Sequence, residues 1–169
     1  IDYVEIGDGY STECKNSVEA DGHAIVTSRG ICWGTNSNPT IQLNNKTIDG
    51  SGLGNFTSTI TDLQPNTNYY LRAYATNSVG TSYSDAKLFN SGIGDPKLST
   101  ISATNIRQTT IVSGGNITND GGIEITQKGV CWSLNANPTL SYNNRTIDGS
   151  GKSSFISSIS GLKSGTIYY

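Results

Sequence analysis

Three sets of residues in this chain have types and spacings that could do chemistry. The first is the thiols Cys14, Cys32 and Cys131. A catalytic thiol needs a base or cation beside it to make the thiolate. The one histidine, His23, sits in an Asp-Gly turn signal far in sequence from any pattern that would pair it with a nucleophile. The second set is Asp49-Gly50-Ser51-Gly52 and Asp148-Gly149-Ser150-Gly151. Asp and Ser oxygens are hard ligands suited to calcium. Each run carries one carboxylate and no closing Glu, which fits a Gly-rich turn better. The third set is Tyr70, Arg72 and Tyr74, alternating with Tyr69, Leu71 and Ala73. On a strand, alternation puts the first three on the outward face. Such a row could stack on sugar rings or pack on a partner, or simply pair across an ordinary sheet surface. Acids are scattered mostly in turns, so no facing pair for glycoside hydrolysis can be read. No Gly-x-Ser-x-Gly elbow and no phosphate loop opens a helix. These residues point to no catalytic group, no cofactor and no metal, and to a protein that is not an enzyme.

The elements that must position them come in duplicate. Asp21 to Tyr70 aligns with Asp120 to Tyr169, a spacing of 99 residues without a gap. Cys32 and Cys131 are one position of this repeat, as are Trp33 and Trp132, and Tyr69 and Tyr168. A gapless match of this length is one domain used twice. Cys14 falls opposite Ser113, so the repeat carries one cysteine rather than a pair. That argues for buried thiols, one in each core. A Cys14–Cys32 bridge stays open, because the first copy alone has both.

Within each copy the signals are those of short strands. Gly7-Asp8-Gly9, Asp21-Gly22, Asn38-Pro39 and Asn77 to Gly80 are turn signals. Between them lie strands over Tyr10–Val18, Ala24–Trp33, and the alternating Phe56, Ser58 and Ile60. Further strands follow over Thr67–Ala75 and Ser82–Phe89. Ile31 and Trp33 share the core face, with Gly30, Cys32 and Gly34 opposite. Ile41–Asn45 reads as a short strand or loop, and 47–52 as a turn. No apolar residues recur at helical spacing. Strands this short and this regularly interrupted predict β-sandwiches.

The run Leu63 to Gly80, LQPNTNYYLRAYATNSVG, resembles the corner and penultimate strand of the fibronectin type III fold. Leu63, Pro65, Thr67, Tyr69, Ala75, Asn77 and Gly80 match that pattern. The resemblance implies that Tyr69, and Tyr168 in the second copy, turn a hydroxyl back onto upstream backbone. The longer pattern includes Gly-Val-Cys-Trp-Ser, Asn-Pro-Thr and Thr-Ile-Asp-Gly-Ser-Gly. It is similar to fibronectin type III-like repeats found in tandem in large secreted and cell-surface proteins of Bacteroidetes bacteria. It implies spacers, stalks and adhesive filaments. The second copy departs at Ser164-Gly165, where the first has Pro65-Asn66.

The expectation is an all-β chain of two tandem immunoglobulin-like (fibronectin type III) β-sandwiches. The first spans residues 1–91, and its opening strand need not be complete. The second spans 97–169 and lacks counterparts of the last strands, with a linker at Ser91–Pro96. The missing strands would belong to a longer protein or come from a neighbouring subunit by β-addition. Trp33, Tyr69, Trp132 and Tyr168 are structural; Tyr70, Arg72 and Tyr74 are the candidate surface contacts. The expected role is a non-enzymatic stalk, filament or adhesin segment, extracellular or at the cell surface. The alternatives are a spacer module of a secreted polysaccharide-degrading enzyme and a carbohydrate-binding domain using exposed Tyr residues. Expected partners are other repeats, neighbouring subunits, a glycan or a host or cell-surface protein. Only 14% of residues are charged and the net charge is −2, so no basic face suits nucleic acid. No apolar run approaches the ~20 residues that span a bilayer.

Overall fold

A computed structural model of the chain describes residues 1–169 apart from Asp2 and Tyr142, and leaves the Ile6 side chain undescribed. The described residues form ten strands: β1 (Tyr3–Ile6), β2 (Thr12–Val18), β3 (Ser28–Gly34), β4 (Gly54–Ile60), β5 (Asn68–Thr76), β6 (Thr81–Tyr83), β7 (Lys87–Asn90), β8 (Lys97–Thr104), β9 (Ile111–Asn119) and β10 (Phe155–Ile159). Helix is absent among the described residues. All strand pairing is antiparallel. The chain falls into two compact units, Ile1–Gly94 and Asp95–Tyr169.

The first unit is a sandwich. One sheet runs β1-β2-β4; the other runs β3-β5-β6, with β7 also on β5. Residues 45–50 add an edge to β3. Trp33 N–H donates to Asn45 (3.1 Å), Thr47 N–H to Ile31 (2.8 Å) and Asp49 N–H to Arg29 (2.8 Å). The sequence reads this stretch as a loop and a turn, because Asn-Asn and Asp-Gly hide a ladder made by backbone alone. Side chains alternate cleanly on β2 and β4: Cys14, Phe56, Ser58 and Ile60 point in, and their neighbours point out. Cys14, Ile31, Ile60, Leu63, Tyr69 and Leu71 make the core, joined by the part-buried Trp33, Ala73 and Phe89. Both sheets contribute, so this core lies between them. Ser91 to Gly94 pack onto this unit: Ser91 Oγ donates to Gln64 (2.7 Å) and Asn66 N–H to Gly92 (2.6 Å).

The second unit repeats the first sheet as β8-β9-β10. Opposite it, residues 128–132 bond to 144–149 with the pattern seen in the first unit: Trp132 to Asn144 (3.1 Å), Thr146 to Val130 (2.8 Å), Asp148 to Lys128 (2.8 Å). On the far edge, Ser133 and Tyr169 exchange both backbone bonds (3.1 and 2.9 Å). This is the pair Gly34–Tyr70 of the first unit, 99 residues on. The core cluster is smaller: Ile117, Ile125 and Phe155, with Val130 beside them. No helix among the described residues is long and apolar enough to cross a membrane.

Candidate functional site: the outer face of the second sheet

The alternation of β5 sends Tyr70, Arg72 and Tyr74 to one side of the sheet, away from the core. The structure separates the three. Tyr74 is 4% exposed, so it is no surface contact. Its neighbour across β3 is Gly30, which has no side chain, and the phenol lies over that gap and donates to the Thr47 carbonyl (2.6 Å). A Cβ at Gly30 would come within 2.3 Å of that same oxygen, so only glycine lets the 45–50 edge close here. Gly129 meets Thr146 in the same way (2.2 Å). Burial raises the Tyr74 pKa.

Arg72 is half-buried and turned aside. Its Nε donates to Ser84 (2.8 Å) and its guanidinium stands 4.6 Å from the Tyr83 ring centre. Tyr83 in turn accepts from Ile41 N–H (3.2 Å). Tyr70 keeps an outward, half-buried ring, flanked by Leu88 across β7 and Gly34 across β3. Leu43 reaches over Gly34 from the loop. Leu43 and Leu88 are 44% and 58% exposed, so the face that remains is an apolar row, Leu43, Tyr70, Leu88, bordered by Arg72 on Tyr83. Sequence reasoning missed both leucines. Leu88 carried the alternation signal, while Leu43 reaches the sheet only through the loop's path.

The structural residues sit as follows. Tyr69 accepts from Gln64 N–H (3.0 Å) and stacks on Phe89 at 5.8 Å; Tyr168 accepts from Lys163 N–H (3.1 Å). The hydroxyl of each does turn back to upstream backbone. Trp33 is half-buried against the core. Trp132 is half-buried too, but lies outside its unit's core cluster.

The thiols need correction. Cys14 and Cys32 are free. Cys14 lies in the core, where burial raises its pKa from 9.0 to about 11. Cys32 faces the opposite side of the second sheet from Ile31, beneath the 35–44 loop, with Sγ 3.3 Å from the Pro39 carbonyl. The sheet lies between the two sulfurs, so no bridge can form. Cys32 is therefore a buried thiol outside the core, and Cys131 is only half-buried.

The Asp-Gly-Ser-Gly turns are internally occupied. Asp49 Oδ2 accepts from Thr47 Oγ1 (2.6 Å) and Ser58 Oγ (2.5 Å). Asp148 does the same with Thr146 (2.6 Å) and Ser157 (2.5 Å). The turn carbonyls face a side-chain cation. Arg29 Nη1 donates to Gly52 (3.1 Å), Leu53 (2.9 Å) and Gly54 (3.1 Å). Lys128 Nζ donates to Gly151 (3.3 Å) and Ser153 (3.2 Å). One oxygen of each Asp and the turn carbonyls thus already accept hydrogen bonds from the chain itself. Among the described residues no three His, Cys, Asp or Glu side chains group as a metal set. His23 is exposed at a positive-φ turn, its N–H on Asp21 (2.9 Å).

No protein-family model matches the chain, and no curated protein does.

Proposed function

We propose that this chain is a non-enzymatic structural and adhesive segment, built of fibronectin type III-like modules and working outside the cell or on its surface. One observation carries the reading. The turn and corner side chains of the repeat are bonded to the chain's own backbone and hydroxyls, in both copies alike. Asp49 and Asp148 tie turn to strand, Arg29 and Lys128 hold the turn carbonyls, and Tyr69 and Tyr168 lock the corners. Groups spent in this way stabilise a reusable module and are unavailable to a substrate. The order β1-β2-β4 facing β3-β5-β6/β7 supports the fibronectin type III comparison. The low charge and the Ser, Thr and Asn surface support an extracellular setting, as in tandem repeats of Bacteroidetes surface proteins.

A contact role falls to the Leu43–Tyr70–Leu88 row. An aromatic ring between two apolar side chains suits the flat face of a sugar or an apolar patch on another protein. The test is binding of the purified chain to a glycan array and to cell-surface protein fractions. Binding is expected to disappear in Tyr70→Ser with Leu88→Ser, whose melting should stay near that of the parent. Binding that survives the double change sinks the contact role, and turnover of a glycan by the chain alone sinks the non-enzymatic reading.

A further inference from the structure

We infer that the loop end of the first unit holds a binding site for an uncharged, hydroxyl-rich sugar, continuous with the Leu43–Tyr70–Leu88 row. A cleft of about 490 Å³ opens there, between the end of β3 and the 35–45 loop. Thr35, Asn36, Ser37, Asn38 and Asn45 line it with amides and hydroxyls, and Leu43 gives it an apolar wall. Among the described residues, none that lines it is charged. Gly34 lines it too and is the cross-strand neighbour of Tyr70. Cleft and row therefore meet at Gly34 and Leu43.

Two features separate this cleft from an ordinary turn. The first is that its polar groups are uncommitted. Asp49, Arg29 and Tyr69 are bonded to the chain itself. The side chains of Thr35, Asn36, Ser37, Asn38 and Asn45 are exposed and make no hydrogen bond to a described residue. The second feature is that the turn does not require all of them. The second copy makes the same turn, with Asn137 at φ 57° against 59° at Asn38. Yet it carries Leu134 in place of Thr35 and Ala136 in place of Ser37. Ser133 stands in place of Gly34, and its hydroxyl donates to the Asn135 carbonyl (2.6 Å). Thr35 and Ser37 thus add hydroxyls that the turn itself does not need. An Asn amide offers an acceptor and two donors, and a hydroxyl serves as either. That set matches the adjacent hydroxyls of a sugar ring, while Leu43 takes its C–H face. An acidic sugar finds no cation in the cleft, since the Lys46 ammonium is held by the Ile41 carbonyl (2.6 Å).

This site rests on the contact role proposed above and narrows it to a sugar. Titrating the isotope-labelled chain by NMR tests it, using linear tetrasaccharides of glucose, mannose and galactose. A galacturonic acid tetrasaccharide is the charged control. At least one neutral tetrasaccharide is expected to shift the side-chain amide signals of Asn36, Asn38 and Asn45 saturably, while Asn135, Asn137 and Asn144 stay still. The charged control should shift none. Thr35→Leu with Ser37→Ala installs the second copy's residues, which the turn tolerates, and should weaken binding about tenfold or more. Tyr70→Ser with Leu88→Ser separates the two readings. Loss of binding in both variants supports one continuous site. Loss in the loop variant alone keeps the cleft and removes the row. Loss in the row variant alone keeps the row and overturns the cleft. The inference is also overturned if no neutral tetrasaccharide gives a saturable shift, if the charged control binds as well, or if the second copy's amides respond equally.

Discussion

Asp49 shows how much depends on a single carboxylate. It accepts two hydroxyl hydrogen bonds, one from the turn and one from β4, the latter from a fully buried Ser58. Asp49→Ala leaves both hydroxyls without their acceptor and should cost about 2–3 kcal/mol, measured by urea unfolding of the first unit. Asp49→Asn keeps an acceptor oxygen and should cost less. Cys14 gives a pH signature. Burial favours its neutral form, so its folded pKa, about 11, lies above the unfolded 9.0. The contribution is whole below pH 9 and is lost as pH rises towards 11, at about 1.4 kcal/mol per unit. Alkaline melts should therefore fall less steeply in Cys14→Ala. Tyr74 and Tyr70 should part company: truncating the buried Tyr74 to Ala should cost about 3–5 kcal/mol, and Tyr70→Ala well under half of that. The sequence placed Tyr74 on the correct side of the sheet. Period-2 alternation tells which way a side chain leaves the backbone, but not whether a loop returns to cover it, and Gly30 is what lets one do so.

At the level of elements, alternation was a reliable guide where a strand has one wet face. Phe56, Ser58 and Ile60 read from the sequence as they sit in β4. Residues 45–50 were not legible as a sheet edge, because their pairing uses main-chain groups and their composition is that of a turn. The stretch Ser82–Phe89 reads as one strand and is two. At Ser84 the backbone N–H donates to Ala73 and the side-chain oxygen accepts from Ala73 N–H, which breaks the ladder between β6 and β7. The corner tyrosine belongs to this scale, since it ties the chain before β5 to β5 itself. Tyr69→Phe removes one hydrogen bond from a buried ring and should cost about 1 kcal/mol. Tyr168→Phe should cost less because its corner is more open to water. Paired thermal melts of the two variants make the comparison.

For the whole molecule, the all-β class was legible from turn spacing and from the lack of any helical period. The smaller core of the second unit was legible as well, since the second copy carries no counterparts of Leu71 and Phe89, which join the first core from β5 and β7. Each unit carries one tryptophan, so unfolding can be followed separately. Urea titration should give two transitions, with the Trp132 signal changing at lower urea than the Trp33 signal. A single superimposable transition would contradict independent units.

The opening strand of the first unit has a mechanical consequence. β1 meets β2 through four residue pairs, Tyr3–Lys15 to Ile6–Thr12, and the Lys87 ammonium of the other sheet holds the Ile1 carbonyl. β1 enters at one end of the sandwich and β7 leaves at the other, both running the same way. A pull between Ile1 and Gly94 would then load the β1–β2 rungs in shear, all at once, instead of peeling them one by one. Resistance to tension would sit in that short patch, and Lys87→Ala should lower the force at which a tethered first unit gives way in a pulling experiment.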